Sequence, residues 1–217
     1  MTSRLYFKEE LAKLNSDILE MGEQIESGIT KTMNAVKSLD KKAAQELIDA
    51  DDSFDHQERA IEKYCIDLVI RESPISSDWR KIASVMRIVS DLERIADHFS
   101  DIAEYILRLD ELGTAGMCPE YFDAMFGVVK NMLSDTIRAF VEYDTKLSAT
   151  VIERDNIIDD LFEKTTDMLT EIMESDSARI KECVCYIFIN KYIERMADHV
   201  TNIAEWIPYI ASGIYEM

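Results

Sequence analysis

At 217 residues the chain is long enough to bury a real core, and its six Gly and three Pro are too few for the many turns of a sandwich or barrel. A formal net charge of -19, with no Lys/Arg cluster to reverse it locally, excludes nucleic acid and repels free phosphate and anionic lipid, leaving cations and basic protein surfaces as partners. No stretch of ~18 residues lacks a charge, so no membrane span is expected, and the opening MTSRLYFKEEL has no apolar core of a signal peptide.

Six helices are predicted, broken near residues 39, 75, 113, 144 and 176. The first ends before Asp40, a plausible N-cap for the second. The second stops at Glu72-Ser73-Pro74. The third has the clearest period: Ile82, Val85, Val89, Leu92, Ala96, Phe99, Ala103 and Ile106 alternate steps of three and four, a seam for antiparallel bundle packing. Leu112-Gly113-Thr114-Ala115-Gly116 separates it from the fourth helix, and Asp144 and Asp176 are N-caps for the fifth and sixth. Cys65, Cys118, Cys183 and Cys185 form no C-x-x-C spacing and no disulfide framework, as expected for reduced structural thiols in a cytoplasmic protein.

Two segments of the chain are near copies. DLERIADHFSDIAEY (residues 91–105) overlays KYIERMADHVTNIAEW (residues 191–206) at an offset of 101, matching Glu93 with Glu194, Asp97 with Asp198 and His98 with His199. SLDKKAAQELIDADDSFD (residues 38–55) overlays EYDTKLSATVIERDNIID (residues 142–159) at an offset of 104, matching Asp51 with Asp155 and Asp55 with Asp159. The loop at residues 73–78 accounts for the change of offset. The expected fold is therefore all-α, two tandem three-helix bundles of up-down-up topology: residues 1–112 and residues 117–217.

Four acid pairs stand at equivalent places: Asp51/Asp55, Glu93/Asp97, Asp155/Asp159 and Glu194/Asp198. At i, i+4 each pair stacks two carboxylates on one helix face. Numbered from their seams, Asp51 and Glu93 both fall at e, and Asp55 and Asp97 at b, so pairs on neighbouring helices can converge. Like charges so placed destabilise a helix by ~0.2–0.5 kcal/mol per pair. A hard cation removes that penalty, and oxygen ligands suit Fe, Mn, Zn, Mg or Ca. The alternative is a solvated acidic face, with Arg94 and Arg195 as local counter-charges. His98 and His199 are either additional ligands or structural. No His follows a Glu by three residues, so the E-x-x-H of carboxylate-bridged diiron bundles is missing.

At these residues the chain resembles the PhoU family of phosphate-transport and phosphate-signalling regulators. ERIAD and ERMAD, with Asp51/Asp55 and Asp155/Asp159, fit that family's twice-repeated E(D)-x-x-x-D pairs. Arg4, Phe7, Glu10 and Leu11 resemble its opening, Met21-Gly22 its first-helix signature, and Pro74 with Asp78-Trp79-Arg80 its loop and D-x-R. The second half lacks the Pro and D-x-R, and carries Asn202 where the first has Asp101. The resemblance implies a cytoplasmic, non-catalytic negative regulator of the phosphate-starvation response. It implies contact with a PstB-type ATPase of the phosphate ABC transporter and a PhoR-type sensor histidine kinase, with the membrane reached only through such partners. It also implies a homodimer with metal clusters at the acid pairs. Two other readings stay open: a metalloenzyme of the carboxylate-bundle type, and a phosphotransfer module using His98 or His199.

Overall fold

The computed structural model describes residues 2–113 and 118–213, with side chains from residue 7 onward. The side chain of Arg4, residues 114–117 of the predicted junction, and residues 214–217 lie outside that description. The helices are α1 (Thr2–Ser38), α2 (Lys41–Asp49), α3 (Asp51–Glu72), α4 (Ser76–Glu111), α5 (Phe122–Glu142), α6 (Thr145–Ser175) and α7 (Ile180–Ser212), with a 3-10 turn at Ser177–Arg179 before α7. Among the described residues there is no strand.

The duplication extends to backbone detail. α1 and α5 both end in a left-handed non-glycine residue, Leu39 (φ 48°) and Tyr143 (φ 54°). In each case the next N–H reaches back to close the helix: Asp40 N to Ala35 O at 3.2 Å, Asp144 N to Ala139 O at 2.9 Å. The same two aspartates then cap the following helix. Asp40 accepts from the amides of Lys42 and Ala43, and Asp144 from those of Lys146 and Leu147. Asp176 caps the 3-10 turn by accepting from Ala178 N.

One predicted helix is two. The chain breaks at Ala50, dividing α2 from α3, whereas its counterpart α6 runs unbroken through Arg154. The charges suit the break, since Asp49 ends α2, where the helix dipole disfavours negative charge, while Asp51 and Asp52 occupy the first turn of α3, where it favours them. α6 has Glu153 and Asp155 at the same places and stays whole, with Arg154 and Asn156 where the first half has Ala50 and Asp52.

The predicted seam of the third helix is buried along its whole length, from Ile82 to Ile106 on α4. α7 repeats the pattern and packs antiparallel to α4: Asp91 meets His199, His98 meets Tyr192, and Tyr105 stacks on Phe188 with ring centroids 4.9 Å apart. α1 and α5 complete a central four-helix layer, flanked by α2 and α3 on one side and α6 on the other. Gly22 marks the close approach of α1 to α5, since a Cβ there would lie 3.0 Å from the Ile137 side chain.

α7 also contains Pro208, which cannot donate to the Ala204 carbonyl one turn back. The fully buried Ser148 hydroxyl of α6 donates to that carbonyl instead, at 2.6 Å. At the equivalent places the first half has Leu107, which has an N–H, and Ala44, which has no hydroxyl.

Candidate metal centre

The α3–α4 junction brings Asp55, Glu93 and Asp97 together, with one oxygen from each lying within 4.8 Å of the others. Asp51 stands beside them at the start of α3, accepting a hydrogen bond from Ser100 at 3.1 Å. Glu93 is buried, 6% exposed, although a lone carboxylate in that position carries a desolvation penalty. Its Oε2 has no hydrogen-bond donor among the described residues, and Arg94 Nε stands 3.5 Å from it. Burial, then the charge of Asp97, pushes Glu93 up to about 8 against the pull of Arg94. Burial likewise raises Asp51, with Asp97 and Asp55 adding to it and the Ser100 hydrogen bond opposing.

A fifth acid belongs to this group. Glu58, one turn beyond Asp55 on α3, adds its negative charge at Glu93, and burial raises its own pKa. The repeat conceals it, because the equivalent residue is Phe162. Spacing alone, Asp55 to Glu58 at i, i+3, was the available signal.

The second half assembles Asp155, Asp159, Glu194 and Asp198 on α6 and α7. Burial pushes Asp155 up to about 6, with Asp159 and Asp198 contributing. Burial, then Glu194, raises Asp198, and Lys191 opposes. The group is looser and more open: Asp159 and Asp198 are exposed, and no three of its oxygens close up as those of Asp55, Glu93 and Asp97 do. Its cation stands elsewhere than the arginines of the first group: Lys191 Nζ lies 2.5 Å from Glu194 where the first half has Ser90.

His98 and His199 do not enter either group. They face each other across the α4–α7 seam with ring centroids 5.7 Å apart. His98 Nδ1 is 2.9 Å from Asp101 and His199 Nδ1 is 2.9 Å from Asp91. At 5% exposed, His98 is withdrawn from any phosphoryl donor. All four cysteines are free thiols.

The donor set fits a hard cation. It consists of carboxylates, one of them buried with an oxygen that lacks a hydrogen-bond donor, in a group whose repulsion a positive ion would relieve. Arg94, 2.8 Å from Asp97, and Arg59, 2.7 Å from Asp55, offset the same charge from the rim.

Comparison with known proteins agrees with this architecture. A family model described as the PhoU domain matches twice, over residues 18–106 and 122–207. A Clostridium acetobutylicum protein named as a phosphate-specific transport system accessory protein PhoU homolog is 33% identical over 212 residues, 97% of this chain and 96% of its own. The crystal structure of PhoU from Pseudomonas aeruginosa superposes with a TM-score of 0.90 at 30% identity, covering 96% of this chain and all of that one. The phosphate transport system regulatory protein PhoU from Streptococcus pneumoniae gives the same TM-score at 28% identity, over 97% of this chain and 99% of its own.

Proposed function

Since this chain belongs to the PhoU family, we propose that it is an accessory and regulatory protein of a phosphate-specific transport system, working by binding rather than by catalysis. The observation that carries this reading is the double family match along a chain that relatives so named cover almost end to end. In this reading it represses phosphate-starvation genes while phosphate is plentiful. It does so in the cytoplasm, as a homodimer, by contacting a PstB-type ATPase and a PhoR-type sensor kinase. No helix among the described residues is long and apolar enough to cross a membrane, which suits attachment through partners.

Asp55, Glu93 and Asp97, with Asp51 beside them, would hold a divalent or ferric ion such as Fe, Mn, Zn, Mg or Ca. Asp155, Asp159, Glu194 and Asp198 would hold another. A bound ion supplies positive charge, which fixes the facing helices and turns part of an acidic surface toward neutrality. The protein's own carboxylates orient that ion, and Ser100 holds Asp51 in place for it.

Deletion of the gene tests the reading. Starvation genes should switch on although phosphate is abundant, and reintroduced protein should restore repression. Alanine at the four acid pairs should weaken repression more than alanine at as many other surface acids, among them Glu26. Unchanged gene expression after deletion would remove the adaptor reading.

A further inference from the structure

The two halves also differ beside the first acid group, where Asp51 borders a second feature. Between α1 and the α2–α3 break lies a cleft of about 680 Å3, within the range of small-ligand pockets. The equivalent place between α5 and α6 holds only about 390 Å3, lined in part by Asn131, Asp135, Arg154 and Ile157. Each of those residues corresponds, 104 positions earlier, to a lining residue of the large cleft: Ser27, Lys31, Ala50 and Ser53. Arg154 crosses the small cleft to Asp135 at 2.6 Å, and α6 runs straight through it. In the first half Ala50 stands in its place, at the helix break, and Lys31 replaces the aspartate.

Bulk has also moved from the wall to the floor. Gly28 replaces Met132, and Phe99 replaces Val200. A Cβ at Gly28 would sit 2.3 Å from the Phe99 ring, so the glycine is what lets that ring lie against α1. The floor is then apolar, formed by Phe99, Phe54, Leu47 and Ala35, while Glu20, Glu23, Asp40, Glu46 and Asp51 ring it against the single cation Lys31.

We propose that this first-half cleft seats a cationic, amphipathic peptide segment of a partner protein. An apolar anchor would pack on Phe54, which the buried Phe99 ring backs edge-on, with lysine or arginine directed to Glu20, Glu23 and Glu46. The occupant follows from complementarity: an acidic rim favours basic side chains, and the half-buried Phe54 favours an apolar one. That the occupant is a protein rests on the adaptor reading; the cleft itself does not.

The test uses a fluorescein-labelled helical peptide with leucines on one face and lysine and arginine on the other, titrated by anisotropy against the full chain. Saturable binding that weakens with salt is expected. Lys31→Asp with Ala50→Arg rebuilds the strap that closes the second half, and should reduce affinity about ten-fold or more. The pair makes the protein more acidic by one unit, since Lys31→Asp removes two charges and Ala50→Arg restores one, so attraction to bulk charge predicts the opposite. Circular dichroism checks its fold. Glu23→Lys with Glu46→Lys should also weaken binding, while Glu153→Lys with Glu163→Lys, an equal charge change outside the cleft, should not. Equal binding by the strapped variant, or equal loss from both charge reversals, would overturn the proposal. So would full displacement by spermidine joined with equal binding of a leucine-free peptide, which would make the cleft a site for small organic cations. Failure of the adaptor reading appears instead in the deletion strain, with peptide binding intact.

Discussion

The two acidic groups descend from one pattern but are not two copies of one site. In the first half Glu93 is buried, Glu58 adds a fifth carboxylate, and three oxygens crowd together. In the second, Lys191 has entered beside Glu194, Phe162 replaces Glu58, and Asp159 and Asp198 face solvent. Equal motifs thus sit in unequal fields. The residues that set the difference lie outside the E(D)-x-x-x-D pattern, which teaches that a repeated ligand motif specifies where an ion could sit and its neighbours decide how strongly it is wanted.

The sharpest way to break this comparison is to remove each group separately. Glu93→Ala with Asp97→Ala should abolish most of the thermal stabilisation that added metal gives, and Glu194→Ala with Asp198→Ala should abolish less. An ion at a hundred times its Kd contributes about 2.7 kcal/mol. That is roughly 5–10 °C at ~2–4 °C per kcal/mol for a chain of this size. Calorimetry with and without chelator reads the difference. Equal losses would mean that the two groups are equivalent, and no shift with metal in the unaltered protein would mean a solvated acidic face.

The halves also differ at the end of the third helix, and there the expected effect is smaller. Ser148→Ala should destabilise by about 1–3 kcal/mol, because it leaves the buried Ala204 carbonyl without a donor. Adding Pro208→Leu, the first-half residue, should recover most of that loss by restoring a helical N–H. Urea midpoints for both singles and the double form the test, and additivity would show that the two positions are not coupled.

A pH profile should differ between the halves as well. In chelated protein, Glu93 is raised from 4.5 to about 8 and Asp155 from 3.8 to about 6. A carboxyl raised by folding contributes stability that is complete below its unfolded pKa and is lost as pH climbs through the folded one. Stability should therefore fall between about pH 3.8 and 8, through Asp155 up to about 6 and through Glu93 from about 4.5 to 8. Glu93→Gln should flatten the upper part of that fall. Asp155→Asn should flatten only the part below about pH 6. Identical profiles for the two variants would erase the distinction.

Much of this is legible in the sequence. The α4 seam follows from its steps of three and four, and the caps at Asp40 and Asp144 from residue type and position, because both depend on short-range geometry. The duplication was legible because equivalent residues carry equivalent backbone roles. The break at Ala50 was not, since the run through Leu47, Phe54, Ile61 and Leu68 keeps its period across it. Glu58 was invisible to repeat logic for having no counterpart. The destination of His98 and His199 was equally closed to it, because which side of α4 meets α7 is a tertiary fact that spacing along one helix does not contain.

The Ser148–Pro208 arrangement also constrains history. One half has Ala44 with Leu107, the other Ser148 with Pro208, and any path between these states passes through a single-substitution intermediate. Serine with leucine keeps every carbonyl satisfied. Alanine with proline orphans one in the core and meets the helix-interior cost of proline, ~3 kcal/mol. Whichever state came first, the passable route keeps the hydroxyl in place whenever the ring is present. A direct path between the two states is therefore ordered, with the hydroxyl granting permission for the ring.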